Sequence, residues 1–186
     1  MQYVFKITWA IRAVFYKLIF GSFKFPGYIG SPKFLVRPSR IYVGKKVRIF
    51  PGFRAECHGQ GKIFIHDDVA IEQDFHITSM GEISIGKGTL ILGFSSVTDI
   101  EHHHEEVDVP VLRQPMIWKK TRIGENCYIG MGARIQAGTV LGNGCVVGAN
   151  AVVRGTFPDY SVIVGVPARI VKIYNPENKI WERVQK

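Results

Sequence analysis

Cysteine is scarce in this chain. Cys57, Cys127 and Cys145 are too few and too scattered for a disulfide framework or a four-ligand zinc site, and an odd count fits a reducing compartment better than secretion. Acid is nearly missing from one end: residues 1–62 hold twelve Lys/Arg and a single acid, Glu56, whereas residues 63–186 hold twelve Lys/Arg and fourteen acids. The formal charge of +9 is therefore concentrated early in the chain. Long uncharged runs are missing too. The apolar, aromatic residues 1–25 are interrupted by Lys6, Arg12, Lys17 and Lys24, with no run of about eighteen uncharged residues for a spanning helix and no small-residue cleavage site. They read as neither a membrane span nor a secretion signal. What the chain does have is apolar surface to bury: 46% hydrophobic residues against 21% charged, over 186 residues, suits one folded domain and argues against disorder.

A period of six runs through the sequence. Ile123, Ile129, Ile135, Leu141, Val147 and Val153 stand six apart, each opening a hexad whose fifth position is Cys127, Ala133, Thr139, Cys145, Ala151 or Phe157. Neither a helix nor a plain strand repeats strictly at six, whereas short strands joined by sharp corners do. Three hexads make one triangular coil of 18 residues, and stacked coils pair as parallel strands about 4.8 Å apart. Cys127 and Cys145, 18 apart, then stack as small inward-facing residues in reduced form. The same frame extends upstream through Val43, Ile49, Ala55; Ile65, Ile71, Ile77; and Ile85, Ile91, Val97. Short insertions fall at Gly59-Gln60-Gly61 and Met80-Gly81; one long excursion, residues 98–122, interrupts the solenoid, and long loops on a rigid scaffold usually carry function. The expected fold is an all-β solenoid of about five coils, with a basic aromatic segment and cap over 1–40, the β-helix over 41–173 and a tail over 174–186.

Residues 1–25 place Tyr3, Phe5, Trp9, Phe15, Tyr16, Phe20, Phe23 and Phe25 among four cations. Two readings stand. Such a helix suits the surface of an anionic membrane, and it equally suits a cap over the open first edge of the β-helix. Lys33, Arg37, Arg40, Lys45, Lys46, Arg48 and Arg54 extend the positive surface. Nucleic acid is not the expected partner, because no recognised motif accompanies the charge and the later acids oppose a general affinity.

With this hexad register, and with the closing Val164-Gly165-Val166-Pro167-Ala168-Arg169-Ile170-Val171-Lys172, the chain resembles the hexapeptide-repeat acyltransferases over about residues 41–173. The resemblance implies a left-handed parallel β-helix, a homotrimer with active sites between subunits, and acetyl-CoA as donor with no metal. The stretch Thr98-Asp99-Ile100-Glu101-His102-His103-His104, followed by Pro110 and Gln114-Pro115, is similar to the excursion of sugar and polysaccharide O-acetyltransferases, which carry an essential histidine there. Many relatives place a histidine directly after the aspartate, where this chain has Ile100. Alignment back from Pro110 and Ile123 favours His102, then His104, then His103. Positions matching the family's donor groove are Tyr128, Met131, Gly148 and Ala149, with Arg169 and Lys172 for the donor's phosphates.

The chemistry follows from the residue types. A sugar hydroxyl is a poor nucleophile until its proton is being removed, and histidine is the natural base near neutral pH. A carboxylate on its other ring nitrogen would fix the tautomer; Asp99, Glu101, Glu105 and Glu106 are close enough in sequence. Three consecutive histidines cannot all reach one ion without backbone distortion, which sets the metal alternative aside. His58, His66 and His76 read as surface or turn residues, with His76, like His103, placed to line an acceptor pocket. The expected function is acetyl transfer to a sugar hydroxyl of a surface polysaccharide (O-antigen, capsule or exopolysaccharide) or its lipid-linked precursor, in the cytoplasm or at the inner face of the cytoplasmic membrane. A small-molecule sugar, amino-sugar or xenobiotic acetyltransferase is the alternative of the same class, and a non-catalytic or metal-binding scaffold that of another.

Overall fold

The hexad frame closes into a parallel β-helix in the computed structural model, which describes residues 2–184. Short strands fall on three faces. The first face runs through Ser22–Phe23, Ile41–Val43, Lys62–Ile65, Glu82–Ile85, Thr121–Ile123, Val140–Leu141 and Thr156–Phe157. The second carries Tyr28–Ile29, Arg48–Ile49, Ala70–Ile71, Leu90–Ile91, Tyr128–Ile129, Val146–Val147 and Ser161–Gly165. The third carries Phe34–Val36, Arg54–Cys57, His76–Ser79, Ser96–Thr98, Arg134–Ile135 and Val152–Val153. Strand alternation turns one aliphatic side chain per hexad inward. Ile85 thus pairs with Ile65 below and Ile123 above, the 38-residue step to Ile123 containing the whole excursion. Ile71, Ile77, Ile91, Ile129 and Ile163 are fully buried in the same core, as are the thiols of Cys57, Cys127 and Cys145.

Corners hold because side chains of one coil cap the backbone of the coil below. Oδ1 of Asp67 accepts the Lys45 amide at 2.7 Å, Oδ1 of Asn143 that of Glu125 at 2.8 Å, and Oδ1 of Asp159 that of Asn143 at 2.8 Å. Gly44 stands where a Cβ would collide with the Asp67 carboxylate, so this corner tolerates no side chain.

The coil count differs from the expected five. Six complete coils and a two-faced seventh are present, because Phe23, Ile29 and Leu35 open a coil before Val43 and Phe157 and Ile163 begin one after Leu141. Both extra coils start on phenylalanine instead of an aliphatic residue, and the last step, from Leu141 to Phe157, is shorter than 18, so the strict frame misses them.

The single α-helix of the described residues, α1 (Gln2–Ile19), covers the open first edge. Ala13 and Phe20 are buried in the core cluster, and Trp9 packs against Tyr28 and Phe50 with ring centroids 5.7 and 5.5 Å apart. No helix among the described residues is long and apolar enough to cross a membrane. At the far end Ala168–Asn175 folds back antiparallel on Ser161–Gly165 and pairs in turn with Ile180–Arg183, so much of the stretch read as a tail is strand. Tyr160, Tyr174 and Trp181 hold it in a run of ring contacts.

Candidate active site

The excursion leaves the solenoid at Asp99 and returns at Lys119. Asp99 follows the outward Thr98, so alternation turns its carboxylate inward, where it is fully buried. Oδ2 accepts hydrogen bonds from Ser79 Oγ (2.9 Å) and the Gly81 amide (3.0 Å), Oδ1 accepts one from the Met80 amide (2.8 Å), and the Asp99 carbonyl accepts the Lys119 amide (2.8 Å). The residue expected to orient the catalytic histidine thus fastens both ends of the excursion to the turn of the coil below, and no imidazole is bonded to it among the described residues.

Beyond Asp99 the excursion is an antiparallel hairpin, pairing Ile100 with Trp118, Glu101 with Ile117 and His102 with Met116. Trp118 lies over Gly81, where a Cβ would stand 2.6 Å from its ring. Glu101 points to the other side, ion-paired with Lys119 and, at 2.5 Å, with Nη2 of Arg154 on the sixth coil. Lys119, with Arg154 adding to it, holds the Glu101 carboxyl below its ordinary value. At the tip, buried Gln114 donates to the carbonyls of Glu106 (2.9 Å) and Val109 (2.7 Å), giving the loop an internal tie. Glu105 and Glu106 are exposed.

The three histidines separate in space. His102 is exposed and, with Ile100 and Met116, overhangs the third face, enclosing a cleft of about 340 Å³ whose floor is Thr78, Ser96 and Thr98 and whose far wall is His58 and His76. His103 turns half inward, its Nε2 3.6 Å from Glu105 and its buried Nδ1 unpartnered among the described residues. His104 is exposed with Nδ1 3.3 Å from the His102 carbonyl. Of the three, His102 lines the cleft. His76 lies opposite across the cleft; His103, expected with it to line an acceptor pocket, is not among the residues of the cleft wall.

Sequence reasoning misses the support of that wall. Glu56, buried, receives His76 Nε2 on Oε1 at 3.1 Å, Arg54 Nε on Oε1 at 2.6 Å, and His58 Nε2 on Oε2 at 3.3 Å; Thr78 Oγ1 stands 2.9 Å from the same His76 nitrogen. Burial pushes the Glu56 carboxyl up, but Arg54 and His76 outweigh it and hold it below the ordinary value. Burial, with the Arg54 charge, pushes His76 down against the pull of Glu56. The wall therefore carries an ionised carboxylate and a neutral imidazole near neutral pH. The available signal was that Glu56 is the one acid in the basic stretch, 20 residues from His76 and so one coil below it.

The donor-groove positions share a second surface. Tyr128 and Met131 are exposed on the second face of the fifth coil and the corner after it; Ala149 is exposed on the same corner one coil up, where the Asn150 amide donates to the Met131 carbonyl at 2.8 Å. At Gly148 a Cβ would come within 2.8 Å of Val164, so glycine keeps that corner low. Arg169 and Lys172 are exposed on the strand Ala168–Asn175; Lys172 continues the register Tyr128, Val146, Val162 at about 14 Å from Tyr128. Aromatic and apolar surface next to two cations suits a ligand with apolar and phosphate parts. Among the described residues no group of three or more His, Cys, Asp or Glu is arranged to hold a metal ion.

Comparison with known proteins agrees with this geometry. Residues 120–155 match the family model described as bacterial transferase hexapeptide (six repeats). The chain is 36% identical over 162 residues, 83% of each chain, to a protein of Escherichia coli named as a lipopolysaccharide biosynthesis O-acetyl transferase, WbbJ. It is 28% identical over 152 residues, 82% of this chain and 75% of the other, to one named as a colanic acid biosynthesis acetyltransferase, WcaF, also of Escherichia coli. Among solved structures, AntD, an N-acyltransferase from Bacillus cereus in complex with dTDP and 3-hydroxybutyryl-CoA, superposes with a TM-score of 0.74 over 90% of both chains at 20% identity, which places the fold as the left-handed parallel β-helix.

Proposed function

The chain belongs to the bacterial hexapeptide-repeat transferases, and on that premise we propose that it moves acetyl from acetyl-CoA to a hydroxyl of a surface-polysaccharide sugar or of that sugar's lipid-linked precursor. It is an acyltransferase using a CoA thioester; the acceptor class rests on the two relatives named for lipopolysaccharide and colanic acid biosynthesis. The observation that carries the reading is His102, held over a polar cleft by a hairpin fastened at both ends.

In this reading His102 takes the proton of the acceptor hydroxyl as general base. His76, neutral and held by Glu56, and Thr78 position the sugar by hydrogen bonds from the opposite wall. Tyr128, Met131, Gly148 and Ala149 hold the donor, with Arg169 and Lys172 at its phosphates. When bound, the thioester supplies an acyl carbonyl open to attack by the deprotonated oxygen. The chain acts as a homotrimer in which a neighbouring copy completes each site, and it works in the cytoplasm, where its three thiols stay reduced.

The test is acetyl transfer by the full chain, read as thiol release from acetyl-CoA in the presence of acceptor. His102→Ala is expected to lower kcat by about 10²- to 10⁴-fold with the oligomer intact. Full activity in that variant would move the base elsewhere. Mass spectrometry of surface glycans from cells with and without the gene checks the acceptor, since the polymer is expected to lose one acetyl unit.

A further inference from the structure

The cap helix has two working faces, and the fold uses one. Trp9, Ala13, Tyr16 and Phe20 lie against the first coils. On the opposite side Ile7, Ile11, Val14, Phe15 and Leu18 fall within an arc of about 100° and are open to solvent, Leu18 at 83%, Phe15 at 65% and Ile7 at 61% exposure. Lys6 and Lys17 border this stripe on one side and Arg12 on the other, and α1 contains no acid. Exposed Lys24, Lys45 and Lys46 follow in the first two coils, and Glu56 is the first acid in the chain.

We propose that this face docks the protein onto the surface of an anionic lipid bilayer, with α1 lying in the headgroup layer. A contiguous apolar stripe of this size on a folded protein marks a contact surface. Its charge selects the contact. An apolar stripe rimmed by cations on both sides and free of acid is complementary to anionic headgroups, into which the stripe sinks while Lys6, Arg12 and Lys17 reach the phosphates. A second copy of the chain is a poorer match, because a two-fold pairing of this face would set its own cations against each other without a compensating acid. The inference stands on the helix alone and does not depend on the acyl-transfer reading. Its consequence is that the enzyme is held where lipid-borne acceptors are found.

The full chain is floated with vesicles of phosphatidylcholine, with and without phosphatidylglycerol. Binding is expected with phosphatidylglycerol present and should weaken as salt screens the cations. The double variant Phe15→Ser and Leu18→Ser, whose parent side chains make no part of the core, is expected to lose at least about tenfold in partitioning with an unchanged thermal midpoint and an unchanged mass by light scattering. Equal flotation with both vesicle types, or a variant that binds like the parent, would overturn the proposal. A variant of reduced oligomeric mass would overturn it as well, by assigning the stripe to contact between copies.

Discussion

Nε2 of His76 lies 3.1 Å from Oε1 of Glu56, a contact between two coils that joins the cleft wall to a buried carboxylate. The pair explains how an imidazole in that wall is both fixed in orientation and neutral: Glu56 holds the ring, while burial and Arg54 keep the proton off it. Glu56→Gln keeps the shape but removes the charge, and we expect kcat/KM to fall about tenfold or more, on the scale of a hydrogen bond to a charged group. The pH dependence of stability has a definite sign. Both groups have folded values below their unfolded ones, so their contribution is complete above the ordinary histidine value of 6.5 and fades as pH falls, first with His76 and then, below 4.5, with Glu56. Acid titration of unfolding in Glu56→Gln should show a steeper loss just below 6.5, where His76 no longer has the carboxylate that favours its charged form, and a shallower one below 4.5, where the Glu56 contribution is gone; an identical profile would detach the pair from stability.

Asp99 gives the clearest stability prediction. Its fully buried carboxylate accepts from one hydroxyl and two amides, and among the described residues no lysine or arginine side chain is bonded to it. Asp99→Asn retains the volume but turns one acceptor into a donor facing amide hydrogens. The expected cost is about 2–3 kcal/mol, read as a drop of several degrees in Tm, together with loss of activity as the hairpin root loosens. A variant with parent Tm would show that the turn at Ser79–Gly81 does not need both acceptor oxygens.

The solenoid is legible in the sequence because each hexad must send one aliphatic side chain inward, and that demand repeats wherever a complete coil exists. It fades at the ends, where Phe23 and Phe157 open coils with larger side chains against the cap helix and the closing strands. The cleft is half legible. His102 stands in the one long break of the period, so its importance can be read locally. His58 lines the same cleft, and Glu56 supports its wall from behind His76, both from a coil more than 40 residues earlier, through a register set by insertions that composition does not count. Asp99 misleads for the opposite reason: it is near His102 in sequence, yet strand alternation points it into the solenoid.

Gly81 and Trp118 test whether hairpin placement controls catalysis. A Cβ at residue 81 would stand 2.6 Å from the Trp118 ring, which is more than half exposed and free to swing outward. Gly81→Ala is therefore expected to cost about 1 kcal/mol or less in stability, to shift the tryptophan emission, and to lower kcat severalfold by moving Met116 and His102 with the strand. Unchanged kcat despite a shifted emission would mean that the hairpin need not hold one position.

Arg154 provides the complementary test from the far side of the hairpin. It stands on the sixth coil and reaches Glu101, one residue before His102, while Lys119 binds the same carboxylate from the returning strand. The guanidinium is half exposed, so Arg154→Ala should change stability by less than about 1 kcal/mol. Its effect belongs in catalysis, because the strand that carries His102 loses its ion pair to the rigid upper coils. The expected result is a severalfold fall in kcat with KM for acetyl-CoA nearly unchanged, and rescue of part of that fall in Arg154→Lys. High salt should reproduce the deficit in the parent chain and add little in the variant. A fall in donor affinity instead would place Arg154 in the donor groove, and its pairing with Glu101 would then serve the CoA phosphates, not the hairpin.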